Sequence, residues 1–239
     1  KSPYVNFLAK QDISKIQNAL NSSGYYFNEV DVTLKNNSND TVDLIYNIKL
    51  GEKALIKNII FTGEKYYKDK KLKNIIVSEE SKFWKFISNK KYLNPNQIDL
   101  DLRLLERFYL NKGFYNVQVK NSSAVFNENH FNLIFNIDAG NIYKIRKAEL
   151  TLPDDFDQKD FKEVEKILKK LINEKYSLNK LNKVVQQIDK ISVSRLYDFI
   201  DATIETNIID DNKLDITFVV KESEKFYVKK INVIGNNIT

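Results

Sequence analysis

Apolar and polar residues alternate three times along this chain in nearly the same form. Residues 42–51 (VDLIYNIKLG) set Val42, Leu44, Tyr46 and Ile48 on one side. Residues 131–140 (FNLIFNIDAG) do the same with Phe131, Leu133, Phe135 and Ile137, and residues 214–223 (LDITFVVKES) with Leu214, Ile216, Phe218 and Val220. A period of two with one apolar side predicts a strand that buries one face. Each is followed at once by a second strand-like stretch: residues 54–63, 142–152 and 225–236. The chain is organised around this repeated strand pair and not around a catalytic motif.

Helical spacing fills the intervals. Residues 11–20 bring Ile13, Ile16 and Leu20 to one face, and Asn21-Ser22-Ser23-Gly24 stops the helix. Residues 25–35 then predict a strand and residues 36–41 a turn, so the first unit holds one helix and a hairpin. In the second unit a strand over 55–61 leads to a short helix over 69–77 with Leu72, Ile75 and Ile76. Asn94-Pro95 starts another, with Asn as cap and Pro at the first helical position. It carries Ile98, Leu102, Leu105 and Tyr109 and ends at Gly113. Residues 114–126, a turn over 127–130 and residues 131–140 close the unit.

The third unit repeats the order: a strand over 143–152, a helix over 161–172, and a longer helix capped by Asn179 with Leu181, Val184 and Ile188. A strand near 199–209 and the return over 214–221 follow, and Arg195-Leu196-Tyr197-Asp198 stands where the second unit has Gly113. The fold class predicted is α+β, in tandem β-α-α-β-β units whose two helices cover one face of a three-stranded sheet. The expected divisions are 1–52 (second helix and hairpin only), 53–141, 142–223, and 224–239 as the first strand of a further unit.

Composition narrows the function. With 42% hydrophobic and 12% aromatic residues among 239, the chain has enough apolar matter for packed cores. The +6 net charge is scattered over many Lys, the pattern of a solvated surface. No Cys is present, which excludes a thiolate nucleophile and a Cys-ligated metal. No apolar run approaches the ~20 residues of a membrane helix. The first residues do not read as a signal peptide, and the repeat boundaries favour a piece of a longer precursor. His130 falls in a predicted turn that offers no pocket, and Asp99, Asp101 and Glu106 are assigned to the polar face of a helix. No cofactor, metal or catalytic residue is expected. Tyr25-Tyr26-Phe27 and Phe114-Tyr115 read as strand starts packing on helices, with base-stacking platforms as the other reading. Phe83, Trp84 and Phe86 form either an inserted plug or a docking patch.

The unit resembles the POTRA domains of BamA-like outer-membrane assembly factors, the Omp85 superfamily. The motifs that carry the likeness are Phe83-Trp84 with Lys90-Lys91-Tyr92, the ERFYLNKGFY run from Glu106 to Tyr115, and the KFYVKKI run from Lys225 to Ile231. By that register the chain spans the second half of POTRA 2, all of POTRA 3 and POTRA 4, and the first strand of POTRA 5. The missing Gly of the third unit departs from the pattern. The resemblance implies a non-enzymatic periplasmic scaffold, part of an outer-membrane protein whose C-terminal β-barrel is absent here. It would bind unfolded outer-membrane proteins and accessory lipoproteins, and no nucleic acid.

If each return strand also pairs with its unit's first strand, the strand between is left at the sheet edge. Residues 25–35, 114–120 and 199–209 would then accept an extended guest. Phe114, Tyr115, Asn116, Val117, Gln118, Val119 and Lys120 are the expected contact residues. Tandem RNA-binding domains and a rigid spacer that binds nothing are the alternatives.

Overall fold

The computed structural model describes residues 6–37, 41–82, 88–127, 130–195, 197 and 200–222. Contacts divide the chain into two units, one with residues 1–110 and 114–140, the other with residues 111–113 and 141–239.

The first unit opens with helix α1 (Asn6–Ser22), which begins five residues before the predicted start. Gly24, at φ +91°, ends it in the left-handed region. Strands β1 (Glu29–Asn36) and β2 (Val42–Lys49) form an antiparallel hairpin paired without a break from Glu29↔Lys49 to Asn36↔Val42. Residues 25–28 are a turn, so β1 starts four residues later than predicted. Tyr26 and Phe27 therefore lie in that turn and do not start the strand, and their rings pack on Phe131 of the later strand over His130–Asp138 at 5.7 and 5.9 Å, not on the helices.

A complete module follows in the same unit: β3 (Ile56–Glu64), α2 (Asp69–Lys73), α3 (Pro95–Leu110), β4 (Gln118–Asn127) and β5 (His130–Asp138). The sheet order is β3-β5-β4, with β3 parallel and β4 antiparallel to β5. Alternation in β5 buries Phe131, Leu133, Phe135 and Ile137 completely or nearly so. They meet Ile56, Ile59 and Phe61 of β3, with Phe61 stacked on Phe135, and Leu72, Ile98, Leu105 and Tyr109 of the helices complete the core. Asn94 caps α3 as predicted, its Oδ1 accepting from the N–H groups of Asn96 and Gln97.

The other unit repeats the plan. It contains β6 (Lys144–Thr151), α4 (Lys162–Leu171) after a single 3-10 turn, α5 (Leu178–Ser194), β7 (Ile200–Asp210) and β8 (Lys213–Glu222), in the order β6-β8-β7. Leu214, Ile216, Phe218 and Val220 bury against Val164, Leu168, Leu181, Val184 and Ile188. The cap of α5 is Ser177, whose hydroxyl accepts from the Lys180 N–H, and not Asn179. Where Gly was missing, Arg195 ends α5 at φ −103°, so no left-handed residue is needed. Tyr197 instead stacks on Phe156 at 4.1 Å and donates to Asp160.

Asp101 corrects an expectation. It is fully buried, not on the polar face of α3. Its carboxylate accepts from the backbone N–H groups of Val77 and Ser78, pinning the segment after α2 to α3. Burial pushes its pKa up against those hydrogen bonds.

Candidate strand-docking edges

A three-stranded sheet has two outer strands, so the two complete modules present four edges: β3, β4, β6 and β7. Each module covers one of its own. Along β3 the Ile59 N–H donates to Glu80 Oε1 at 3.0 Å, and the Ser81 N–H donates to the Ile56 carbonyl at 2.7 Å. Leu55 bridges to Tyr92, and the Leu93 N–H donates to the Ala54 carbonyl. Glu80 is held in place by Lys73 at 2.5 Å. Burial raises its pKa, but the hydrogen bonds from Lys73 and the Ile59 N–H outweigh that and hold the carboxyl below the usual range.

Strand β6 is covered by residues after α4. The Ile145 N–H donates to the Glu174 carbonyl at 2.9 Å and the Asn173 N–H to the Ile145 carbonyl at 2.7 Å. Asn173 sits at φ 67°, a region Asn tolerates better than most residues, and this turns the chain back along the strand. Outside their ladders with β5 and β8, no backbone hydrogen bond to another element falls on β4 or β7 among the described residues. An outer strand without such partners presents one row of N–H and C=O groups outward.

The sequence-derived contact residues split across this boundary. Gln118, Val119 and Lys120 are the first residues of β4, with Gln118 and Lys120 exposed and Val119 half-buried. Phe114, Tyr115, Asn116 and Val117 precede the strand. Phe114 is 1% exposed and packs on Tyr109 and Tyr66 at 5.4 and 5.0 Å, and Val117 is also buried. Their side chains belong to the core. Tyr115 and Asn116 lie in the intervening turn. His130 is the first residue of β5, opposite Asn127, and not in the turn. Phe83, Trp84 and Phe86 lie outside the described residues.

Strands β4 and β7 each carry one bulge, near the start of β4 and, between Ile208 and Asp210, at the end of β7. In β4 the pairing jumps from Lys120↔Asn136 to Ser122↔Phe135, leaving Asn121 as a bulge. Nothing in the residues there, such as a Gly, announces it. In β7 the pairing runs unbroken from Ile200↔Glu222 to Ile208↔Leu214. Asp201 and Glu205 are exposed along β7, charges of the kind that discourage edge-to-edge association. Among the described residues no three His, Cys, Asp or Glu side chains gather to hold a metal ion.

A family model described as POTRA, surface antigen variable number repeat, matches residues 2–51 and 54–140, more than half of the chain. The chain belongs to the POTRA family. Among curated relatives, the outer membrane protein assembly factor BamA of Neorickettsia risticii is 23% identical over 201 residues. That match takes 84% of this chain and 27% of the relative. BamA of Neisseria meningitidis serogroup B is 23% identical over 199 residues, 83% of this chain and 25% of that protein. The chain therefore spans about a quarter of the length of these relatives. The crystal structure of Haemophilus influenzae BamA POTRA3-5 shares the fold, with a TM-score of 0.53 at 14% identity over 93% of this chain and 82% of that one.

Proposed function

We propose that this POTRA chain is the periplasmic scaffold region of an outer-membrane β-barrel assembly factor. It takes extended segments of unfolded outer-membrane proteins as an added strand on β4 and β7. The carrying observation is the asymmetry of the sheets: β3 and β6 are each covered by their own module, while among the described residues nothing covers β4 or β7. Backbone hydrogen bonds supply affinity that depends little on guest sequence, which suits many β-rich clients. Within this reading the modules run over 1–52, 53–141, 142–223 and 224–239, in the register POTRA 2 to POTRA 5. Accessory lipoproteins and the membrane barrel of the full-length protein are its further partners, and its role is scaffolding, not catalysis.

Titration of isotope-labelled chain with a β-hairpin peptide from an outer-membrane protein tests this. Shifts are expected in the amides of residues 118–127 and 200–208, with β3 and β6 unmoved. Equal shifts on all four margins would refute the asymmetry. No shift at millimolar peptide would favour the spacer. Shifts with an oligonucleotide alone, weakening steeply with salt, would favour RNA binding.

A further inference from the structure

The outer margins of β4 and β7 differ in charge. Along β7 successive residues alternate between the two sides of the sheet. Ala202, Ile204 and Thr206 are half-buried and pair with Val220, Phe218 and Ile216, which are buried, so they lie on the core side. Asp201, Thr203, Glu205 and Asn207 lie on the other side and are all exposed. Asp201 and Glu205 thus share a side, four residues or about 13 Å apart.

Neither carboxylate has a cation to itself. Elsewhere in the module Arg146 holds Asp215, Lys147 holds Glu149 at 2.7 Å and Lys213 holds Asp210 at 3.5 Å. Among the described residues no ion pair reaches Asp201 or Glu205, although Lys221 stands opposite Asp201 in the ladder. Strand β4 is the reverse. Residues 118–127 hold no Asp or Glu, and their one charged residue, Lys120, lies 3.8 Å from Asp138.

A strand added to β7 sets two of its residues directly opposite Asp201 and Glu205, side chains about 5 Å away, whichever way it runs. Basic residues there gain two cross-strand pairs, and acidic ones meet like charge. The intervening residues continue the core side past Ala202, Ile204 and Thr206. We propose that the β7 margin selects outer-membrane protein segments in which apolar residues alternate with polar ones and two Lys or Arg stand four positions apart. This selectivity rests on the added-strand reading above and names the guest for one margin. Strand β4 lacks the carboxylates and does not share the preference. The same two charges that hold a second β7 away therefore admit a basic strand.

Three strand peptides with the same apolar residues test this, bearing Lys, Gln or Glu at two polar positions four apart. Each is titrated into the isotope-labelled 239-residue chain at low salt, with amides 200–208 and 118–127 read separately. At β7 the Lys peptide is expected to bind at least about fivefold more tightly than the Glu peptide, with Gln between. The chain carries +6 overall, so long-range attraction alone would produce the opposite order. Asp201→Asn combined with Glu205→Gln is expected to abolish the preference. Equal binding of the Lys and Glu peptides at β7 overturns the selectivity and leaves strand addition standing. A preference that survives in the double variant, or that recurs at β4, does the same. No shift at either margin with any of the three peptides overturns the added-strand reading itself, and the selectivity with it.

Discussion

Asp101 illustrates how one carboxylate can be read two ways. It lies three residues after Ile98 and four before Leu105, so helical spacing itself puts it on the apolar face of α3. The sequence carried that signal, and the residue's charge hid it. Asp101→Asn keeps the shape but offers an N–H₂ group to backbone donors, and is expected to cost about 1–3 kcal/mol in denaturant unfolding. The pH dependence has a definite sign. With its folded pKa raised, the native state keeps a proton that the unfolded chain releases near pH 3.9, so this contribution to stability is lost as pH rises from there. The gap between parent and Asp101→Asn therefore narrows with rising pH. Gly63→Ala is expected to cost more than about 2 kcal/mol, since the methyl group meets the Ile137 carbonyl and φ +81° is strained for any side chain. Chemical denaturation of the single variant checks it.

At the scale of elements, the return strands were legible because one face is buried and the other is wet, which writes strict alternation into the sequence. The strand before each was less so. The turn at residues 114–117 sits directly before β4 and holds apolar Phe114 and Val117, and only their burial, with Phe114 packed on Tyr109, shows that they serve the core. The coverings of β3 and β6 were not legible, because they rest on backbone groups that leave no trace in residue type. Glu80 is the exception, reaching the Ile59 N–H with a side chain. Glu80→Gln is expected to lose about 1–2 kcal/mol at neutral pH. The folded pKa of Glu80 is lowered, so its contribution is present above the ordinary glutamate value and lost as pH falls below it. The gap between parent and variant closes in acid. Hydrogen exchange at the Ile59 amide should quicken in the variant at neutral pH, while exchange in β8 stays unchanged.

Across the whole molecule, the described residues carry one two-stranded sheet, β1-β2, and two three-stranded sheets of the same order. Amides of β1 and β2 are expected to exchange fastest among the strands, and those of β5 and β8 slowest, since the latter are bonded on both sides and packed beneath two helices. The parallel pairing of first and last strands has a mechanical consequence. The chain enters a complete module at the start of β3 and leaves it at the end of β5, two neighbours that run side by side from Ile56↔Phe131 to Glu64↔Asp138. Tension applied to the two ends slides these strands past each other and loads their hydrogen bonds together instead of peeling them one at a time. A module tethered at both ends is thus built to stay shut under pull.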